Sequence, residues 1–363
     1  MARGYARTVQ GRKIDMRAYA GDVMLDHLAH DHPLRPALRA FNLQQHAQAR
    51  VLLAGFVATQ GETDDAVELA GRMDALERPR PARPPALVWQ YDNAARWEGE
   101  WLRWLTDGLV GEEIEDRRAY ATIRPRMVVV ENELNGRSAE YLRRAFRAGA
   151  DIVLLHLGDE AYLQDLAPYR WCRAVFRNYR DRTLAGRRDV QVLPLGCKAG
   201  FARPEVPRPA AARSLAWSFA GDLNKTTRIA MLTAMAQVQP YRLHQTAGWD
   251  TADALPVAAY RALMDASVFV PCPTGFASLD SFRVFEALEA GCIPIVERRD
   301  GEEYFAAAYG PHPMPVVSDW AEAPGLIRRM NEAGRVEAVR RACHGWWQAL
   351  KHDTRARLAT ALA

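Results

Sequence analysis

Apolar positions along the chain recur with two different spacings, and these spacings divide it into an N-terminal part and a longer remainder. Between residues 22 and 76 the apolar residues lie three and four apart, which predicts helices. The basic, proline-rich run ERPRPARPPA follows at residues 77–86, and proline cannot continue a helix. The pattern therefore predicts a helical N-terminal region, residues 1–80, that ends at a domain boundary.

Short apolar runs alternate with helical segments beyond this boundary. Strands are expected in runs such as RPRMVVVEN (124–132) and DIVLLHL (151–157), and a short helix is expected near 162–166. Such alternation implies right-handed crossovers and a parallel sheet with helices on both faces. A second proline-rich stretch divides the series. We expect an α/β fold with two facing, Rossmann-like doubly wound domains, residues 84–200 and 213–350, that leave a cleft between them.

Composition agrees with an ordinary globular protein. The 363 residues are 49% hydrophobic and 25% charged. No apolar run is long enough to span a bilayer and no secretory signal is recognisable, so a cytoplasmic location is expected. The five cysteines are scattered and form no CxxC pair, which predicts small buried hydrophobic residues rather than disulfides or a zinc site.

The net charge of +4 is concentrated at the N-terminus. Residues 1–20 hold five basic residues against Asp15 alone, so the rest of the chain balances to zero. This leaves no basic face for nucleic acid, and no nucleic-acid partner is expected. A solvated, partly disordered tail is the favoured interpretation of the basic leader, and peripheral contact with an anionic membrane surface or glycan is the alternative.

One helix in the second half of the chain has the apolar pattern of a core helix, but polar residues stand in its first turns. If SVFVPCP (267–273) is a strand, the loop at its carboxyl end precedes a helix that begins near Asp280 or Ser281. Free backbone N–H groups, the Ser281 hydroxyl and Arg283 would then lie where an anion binds. Gly275 lets the loop backbone approach a ligand, and Gly291 fits the left-handed position that ends a helix.

Arg283 and Glu286 lie three residues apart on this helix, and two interpretations are open. They form a surface ion pair worth a few tenths of a kcal/mol, or they face a cleft, with Arg283 on a phosphate and Glu286 on the two hydroxyls of a ribose. Spacing does not distinguish the two.

Three segments resemble the exostosin-type glycosyltransferases. SLDSFRVFEALEAGCIPIVE (278–297) resembles their signature, in which a serine, an arginine and an acidic residue precede an Ala-Leu-x-x-Gly-Cys-Ile-Pro run. SFAGDLNKTTR (218–228) is similar to their Phe-Ala-Gly segment followed by basic residues. The stretch from HLGDE to LPLG (156–196) is similar to bacterial members related to ribitol xylosyltransferases.

The resemblance implies a function and its site. It implies the GT-B fold, a nucleotide-diphosphate sugar donor, expected to be a UDP-sugar, on the C-terminal half, and a glycan or polyol-phosphate acceptor on the N-terminal half. Transfer would invert the anomeric carbon, in surface polysaccharide or glycan synthesis. Carried over, Ser281 and Arg283 would bind the diphosphate and Glu286 the ribose. Lys225 and Arg228 would add positive charge for the leaving diphosphate, unless they only form a solvated first turn.

An inverting transfer needs a base for the acceptor hydroxyl. Asp159 and Glu160 follow the apolar strand DIVLLHL, so they belong at its carboxyl end. Glu160 is the first candidate and Asp159 the second, although Asp159 is equally suited to cap a helix, and His156 is a distant third. The motif Asp-x-Asp is absent, so we expect no metal and no cofactor.

Two other functions fit the same residues. A nucleotide-sugar epimerase or hydrolase would use the donor without an acceptor, and a non-catalytic subunit would bind a glycan or a partner through its helical N-terminus. The presence of Ser281, Arg283, Glu286, Lys225 and Arg228 together argues against an idle site.

Overall fold

The computed structural model describes most of the chain. The described residues are 6–9, 12–15, 28–29, 31–43, 45–77, 83–91, 97–185, 187–203, 205–224, 227–248, 251–275, 277–299 and 301–363. They divide into two compact units. The first unit comprises Met1–Asp92, Gly108–Leu193 and Ala359–Ala363, and the second comprises Asn93–Asp107 and Pro194–Leu358.

The N-terminal region contains a two-stranded ribbon and three helices. Strands β1 (Ala6–Val9) and β2 (Arg12–Asp15) pair antiparallel in the leader that we expected to be a tail. The predicted helices follow as α1 (Arg35–Asn42), α2 (His46–Gln60) and α3 (Asp64–Glu77). Their apolar faces form a core of their own. Its largest members are Leu34, Phe41, Leu53, Phe56, Leu69 and Met73.

The first unit contains a six-stranded parallel sheet. Its strands are β3 (Ala86–Trp89), β4 (Glu112–Glu115), β5 (Arg126–Glu131), β6 (Asp151–His156), β7 (Ala174–Arg177) and β8 (Val190–Val192), in the order β4-β3-β5-β6-β7-β8. Helix α4 (Gly99–Thr106) follows β3 in the chain, and helix α5 (Gly136–Arg147) joins β5 to β6. Both faces of β5 and β6 are buried, as near-continuous apolar runs require.

The segment after β6 differs from the prediction. The helix expected near residues 162–166 does not form, and the chain makes a turn with Asp159 and Tyr162 at φ values of +73° and +56°. One carboxylate oxygen of Asp159 accepts hydrogen bonds from the backbone N–H groups of Leu163 and Gln164, which closes the turn. A short 3₁₀ helix, Ala167–Trp171, follows.

The second unit contains a five-stranded parallel sheet. Its strands are β9 (Leu215–Gly221), β10 (Tyr241–Gln245), β11 (Ser267–Cys272), β12 (Ile293–Glu297) and β13 (Val316–Val317), in the order β10-β9-β11-β12-β13. Its helices are α6 (Arg228–Met235), α7 (Val257–Asp265), α8 (Phe282–Glu289), α9 (Tyr304–Tyr309), α10 (Ala323–Glu332) and α11 (Val336–Leu362). The α/β class with two doubly wound sheets is therefore confirmed.

Helix α4 groups with the second unit, although the sequence interpretation placed residues 84–200 in one domain. The indole Nε1 of Trp101 donates to the carbonyl oxygen of Pro194 at 2.9 Å. Its ring lies 5.6 Å from the rings of both Trp104 and Trp347. Aromatic packing against residues far along the chain decides where this helix belongs.

The cysteines and the hydropathy of the helices complete the description of the fold. All five cysteines are buried and form no disulfide, as predicted. Among the described residues, no helix is both long enough and apolar enough to cross a membrane.

Candidate functional site

The strand order of the second sheet defines where a ligand binds. The chain runs from β9 outward to β10 and then returns past β9 to β11, so the direction of winding reverses between β9 and β11. In open α/β sheets, ligands bind beyond the carboxyl ends of the strands at such a switch point. The loops after Gly221 and after Cys272 begin at this point, and the second of them leads into α8.

Helix α8 begins where the sequence predicted. Ser281 is its N-cap residue, with extended backbone at φ −157° and ψ 151°, yet its side chain makes no capping hydrogen bond. Its hydroxyl oxygen is buried and has no hydrogen-bond partner among the described residues. Val284, Phe285 and Leu288 anchor the helix in the core. Gly291, at φ +64°, follows its carboxyl end as expected.

Arg283 lies across the switch point. Its Nη2 donates to the carbonyl oxygen of Ala220 at 2.7 Å, and its guanidinium carbon lies 4.2 Å from the ring centre of Phe219. A Cβ at Gly221 would lie 2.8 Å from Nη2, and the backbone of this residue has a φ of +147°, which favours glycine. The Nε atom is buried and has no partner among the described residues. The Nε–H group of this cation is therefore available to a ligand.

Glu286 is buried rather than at the surface, so the interpretation of a surface ion pair with Arg283 is wrong. Only 4% of the residue is exposed. Its Oε1 accepts from the backbone N–H of Lys198 at 3.4 Å, and the Tyr260 hydroxyl lies near enough to favour the ionised form of the carboxyl. Burial raises the pKa of this carboxyl, and the charge of Arg283 opposes that rise. Sequence reasoning missed Tyr260, which lies 26 residues before Glu286 on α7.

Arg228 occupies the first position of α6, where the sequence placed it, but it is buried and not solvated. Its Nη1 donates to the backbone oxygen of Asp222 at 2.7 Å and to the Asp222 carboxylate at 3.0 Å. The guanidinium carbon lies 5.7 Å from the ring centre of Phe219, the same ring that Arg283 contacts. Lys225, the other basic residue predicted here, lies outside the described residues.

A carboxylate at the end of β12 holds two loops of the site together. Oε1 of Glu297 accepts from the backbone N–H of Thr274 and from the hydroxyl of Thr227, both at 2.6 Å. Gly275, predicted to let the backbone approach a ligand, donates its N–H to the carbonyl of Ser278 at 3.0 Å. Glu297 was not predicted as a site residue, although an acidic residue at the carboxyl end of a buried strand is a usable signal.

Asp280 immediately precedes Ser281 and is also buried, with 1% of its surface exposed. Its Oδ2 accepts hydrogen bonds from the hydroxyl groups of Tyr304 at 3.1 Å and Tyr309 at 3.0 Å. Both tyrosines belong to α9, a helix for which the sequence interpretation assigned no role.

The candidate bases of the first unit, Asp159 and Glu160, lie in the turn that follows β6. Asp159 is buried, and its Oδ2 lies 3.1 Å from Nη2 of Arg177 in an ion pair whose two side chains are each 1% exposed. Because its Oδ1 closes the turn after β6, both oxygens have structural partners. Glu160 is the next residue in that turn and is half-buried.

His156 lies in the core, as the alternation predicted. Its Nδ1 lies 2.6 Å from the Tyr169 hydroxyl and its Nε2 lies 3.0 Å from Oε1 of Gln164. Burial, together with the positive charge of Arg177, lowers the pKa of His156 to about 3. A fully buried imidazole with both nitrogens engaged is unsuited to take a proton from a substrate.

Within the described part of the chain, no group of three or more His, Cys, Asp or Glu side chains is arranged to hold a metal ion.

No protein-family model matches the chain, and no curated protein matches it. Solved structures do align with it. An α1,3-fucosyltransferase is 12% identical over 80% of this chain and 94% of its own, with a TM-score of 0.48. A mutant O-GlcNAc transferase of Thermobaculum terrenum is 10% identical over 94% of this chain and 84% of its own, with a TM-score of 0.45. Anabaena HepE in complex with UDP is 12% identical over 77% of this chain and 99% of its own, with a TM-score of 0.46. At these identities and TM-scores, the activity of this chain has to be argued from its own residues.

Proposed function

We propose that this protein is a glycosyltransferase that moves a sugar from a nucleotide-diphosphate sugar, a UDP-sugar, to a hydroxyl of a glycan or polyol phosphate, with inversion. The observation that carries the proposal is a pair of buried polar atoms without partners among the described residues, Oγ of Ser281 and Nε of Arg283. They lie two residues apart at the N-terminus of α8, beside the switch point of a doubly wound sheet.

A diphosphate is the ligand class that fits these atoms. Leaving a buried donor unsatisfied costs about 1–3 kcal/mol, so a ligand that supplies acceptor oxygens recovers that free energy on binding. The N-terminus of a helix carries partial positive charge, and arginine forms strong charge-assisted bonds to phosphate oxygens. Ser281 and Arg283 would therefore bind the diphosphate together with the backbone N–H groups of the first turn.

The remaining donor residues take their proposed roles around this centre. Glu286 would accept hydrogen bonds from the ribose hydroxyls, with Tyr260 and the backbone of Lys198 fixing its carboxylate. Arg228 would contribute positive charge to the leaving diphosphate, partly offset because Asp222 already binds it. Lys225 would add a second cation to the same loop. Gly275 would keep the loop backbone close to the donor.

The proposed reaction is a single displacement. A carboxylate takes the proton of the acceptor hydroxyl, the acceptor oxygen forms a bond to the anomeric carbon, and the bond from that carbon to the diphosphate oxygen breaks. The nucleoside diphosphate leaves with the electron pair, stabilised by Arg283 and by α8. Glu160 is the proposed base, because it is half-buried beside the carboxyl end of β6; Asp159 already serves the ion pair with Arg177 and the turn. We propose that no metal takes part.

Calorimetric titration with UDP, UDP-sugars and uridine tests the donor site. We expect UDP and at least one UDP-sugar to bind more tightly than uridine, and Arg283→Ala to remove that difference. Arg143→Ala is the matched control, because Arg143 forms with Glu140 the exposed i,i+3 ion pair that Arg283 does not form. Equal affinity of the wild-type protein for UDP and uridine would overturn the proposal.

Product analysis then separates the transferase from its alternatives. Incubation with the bound UDP-sugar and candidate acceptors should yield a glycoside. Free or epimerised sugar instead of a glycoside would assign the epimerase or hydrolase. Tight donor binding with no product under any acceptor would assign a non-catalytic subunit. Turnover abolished by EDTA and restored by manganese would show that the metal-free part of the proposal is wrong.

A further inference from the structure

Asp280 is placed to compete with any anion that binds at the start of α8. An aspartate side chain commonly accepts a hydrogen bond from the backbone N–H two residues further on, and Asp280 lies two residues before Phe282. A carboxylate in that position interacts favourably with the helix N-terminus, as a bound phosphate does. The carboxylate of Asp280 and a diphosphate would therefore compete for the backbone N–H groups of the first turn of α8.

The structure directs this carboxylate elsewhere. Oδ2 of Asp280 accepts from two phenol hydroxyls, those of Tyr304 and Tyr309, at 3.1 and 3.0 Å. Ser281 likewise makes no capping bond with its side chain. Serine and aspartate both favour capping positions. Here the Ser281 side chain does not cap α8, and Asp280 is turned toward α9.

Helix α9 holds the two tyrosines in place by contacts of its own. The carboxylate of Glu303 caps α9, accepting from the backbone N–H groups of Phe305 at 3.1 Å and Ala306 at 3.0 Å. Nε2 of His312 lies 2.9 Å from the same carboxylate. The ring of Tyr309 packs edge-on against Phe285 of α8, with ring centres 6.1 Å apart. The tyrosine hydroxyls are therefore presented by a helix that is fixed independently of Asp280.

We propose that Tyr304 and Tyr309 are positioning residues that hold the carboxylate of Asp280 away from the first turn of α8, so that the diphosphate of the donor can occupy that turn. The inference rests on the proposed function. Without the two hydroxyls, the carboxylate turns toward the helix N-terminus and Arg283, caps α8 and competes with the diphosphate. The tyrosines thus act on donor affinity without touching the donor.

The test is a rescue experiment with UDP and uridine as ligands. The double variant Tyr304→Phe, Tyr309→Phe should lose about tenfold in UDP affinity, the size expected for one charge-assisted contact, and keep its uridine affinity. Adding Asp280→Asn should restore UDP affinity to within about twofold of wild type, because the competing charge is gone. Tyr169→Phe, which removes another buried phenol hydroxyl in the first unit, is the control and should leave both affinities unchanged.

Each outcome decides between the two proposals. If Tyr304 and Tyr309 only support the fold, adding Asp280→Asn will not restore UDP affinity, and the inference is wrong while the donor site stands. If Arg283→Ala lowers UDP affinity but the tyrosine variants do not, the inference alone fails. If the wild-type protein does not prefer UDP over uridine, the proposed function fails and the inference fails with it. Circular dichroism checks that the double variant folds. If it does not, Tyr309→Phe alone, with and without Asp280→Asn, makes the same comparison at a half-buried tyrosine.

Discussion

Arg283 donates from Nη2 to the carbonyl oxygen of Ala220 at 2.7 Å, and this bond joins the first turn of α8 to the carboxyl end of β9. The two residues are 63 positions apart in the chain and meet only because β9 and β11 are neighbours in the sheet. The bond fixes one nitrogen of the guanidinium and leaves Nε without a partner among the described residues. The side chain is thereby oriented before any ligand arrives.

Arg283→Ala should weaken UDP binding by roughly tenfold to a hundredfold and leave uridine binding almost unchanged. The variant removes a charge-assisted contact to phosphate, worth about 1.5–3 kcal/mol, while base and ribose contacts remain. Calorimetric titration of both ligands measures the difference. Equal losses for UDP and uridine would mean that Arg283 only ties α8 to β9.

Glu286→Gln should weaken UDP and uridine binding by similar factors, since both ligands carry the ribose. The amide keeps the shape of the side chain but replaces one accepting oxygen with a donor, which opposes both the ribose hydroxyls and the Lys198 N–H. Titration with UDP, uridine and uracil checks this, and uracil affinity should not change. Unchanged affinity for all three would exclude Glu286 from the ribose site.

Glu160→Gln should reduce turnover by about two to four orders of magnitude, the usual effect of removing a general base, with donor affinity retained. The amide is isosteric but cannot take a proton. Initial rates at saturating donor, together with UDP titration, provide the measurement. A variant that turns over at the wild-type rate would place the base elsewhere.

Asp159→Asn should lower the free energy of unfolding, whether or not it also affects turnover. Removing one partner of a buried ion pair costs about 3–5 kcal/mol, and here it leaves the buried Arg177 guanidinium with Asp181 as its remaining carboxylate neighbour at 3.5 Å. Denaturant unfolding of the variant should give a lower midpoint with a similar slope. Asp181→Asn is a graded comparison, because Asp181 lies 3.5 Å from the same guanidinium in a weaker contact. A stable Asp159→Asn protein that has lost turnover would assign Asp159 as the base.

His156 should make the protein less stable as the pH falls from about 6.5 toward 3. Its folded pKa of about 3 lies below the value of 6.5 for an exposed histidine, so the unfolded chain binds a proton in this range that the folded chain does not. The stability it contributes is present above pH 6.5 and decreases by about 1.4 kcal/mol per pH unit below it. His156→Gln should show a shallower pH dependence of unfolding between pH 4.5 and pH 6 by about that slope. Parallel curves for the two proteins would contradict the assignment.

Local sequence determined the elements whose signals are confined to a few neighbouring residues. Buried strands such as β5, β6, β11 and β12 are near-continuous apolar runs, and α8 begins and ends where Ser281 and Gly291 predicted. The prediction of two doubly wound sheets followed from the alternation of these elements. In each case the signal is the period of the apolar positions or the backbone preference of one residue, and both act over a short range.

Where local signals were weak or misleading, the sequence interpretation missed or misplaced elements. Strand β4 has the sequence EEIE and lies exposed at the sheet edge, so it carries no apolar run to reveal it. The expected helix at 162–166 is a turn, because Asp159 bonds the backbone N–H groups of that segment. Helix α4 was correctly identified, but its place with the second unit depends on Trp101 meeting Pro194 and Trp347.

The candidate site divides in the same way. The sequence by itself determined that Ser281, Arg283 and Glu286 lie in the first two turns of one helix, because helix periodicity fixes their spacing. Only the tertiary structure decided that Glu286 is buried against Tyr260, that Asp222 holds Arg228, and that Tyr304 and Tyr309 bind Asp280. These partners come from different strands and helices, and the distance between them is set by how the sheet orders its strands, which no local pattern records.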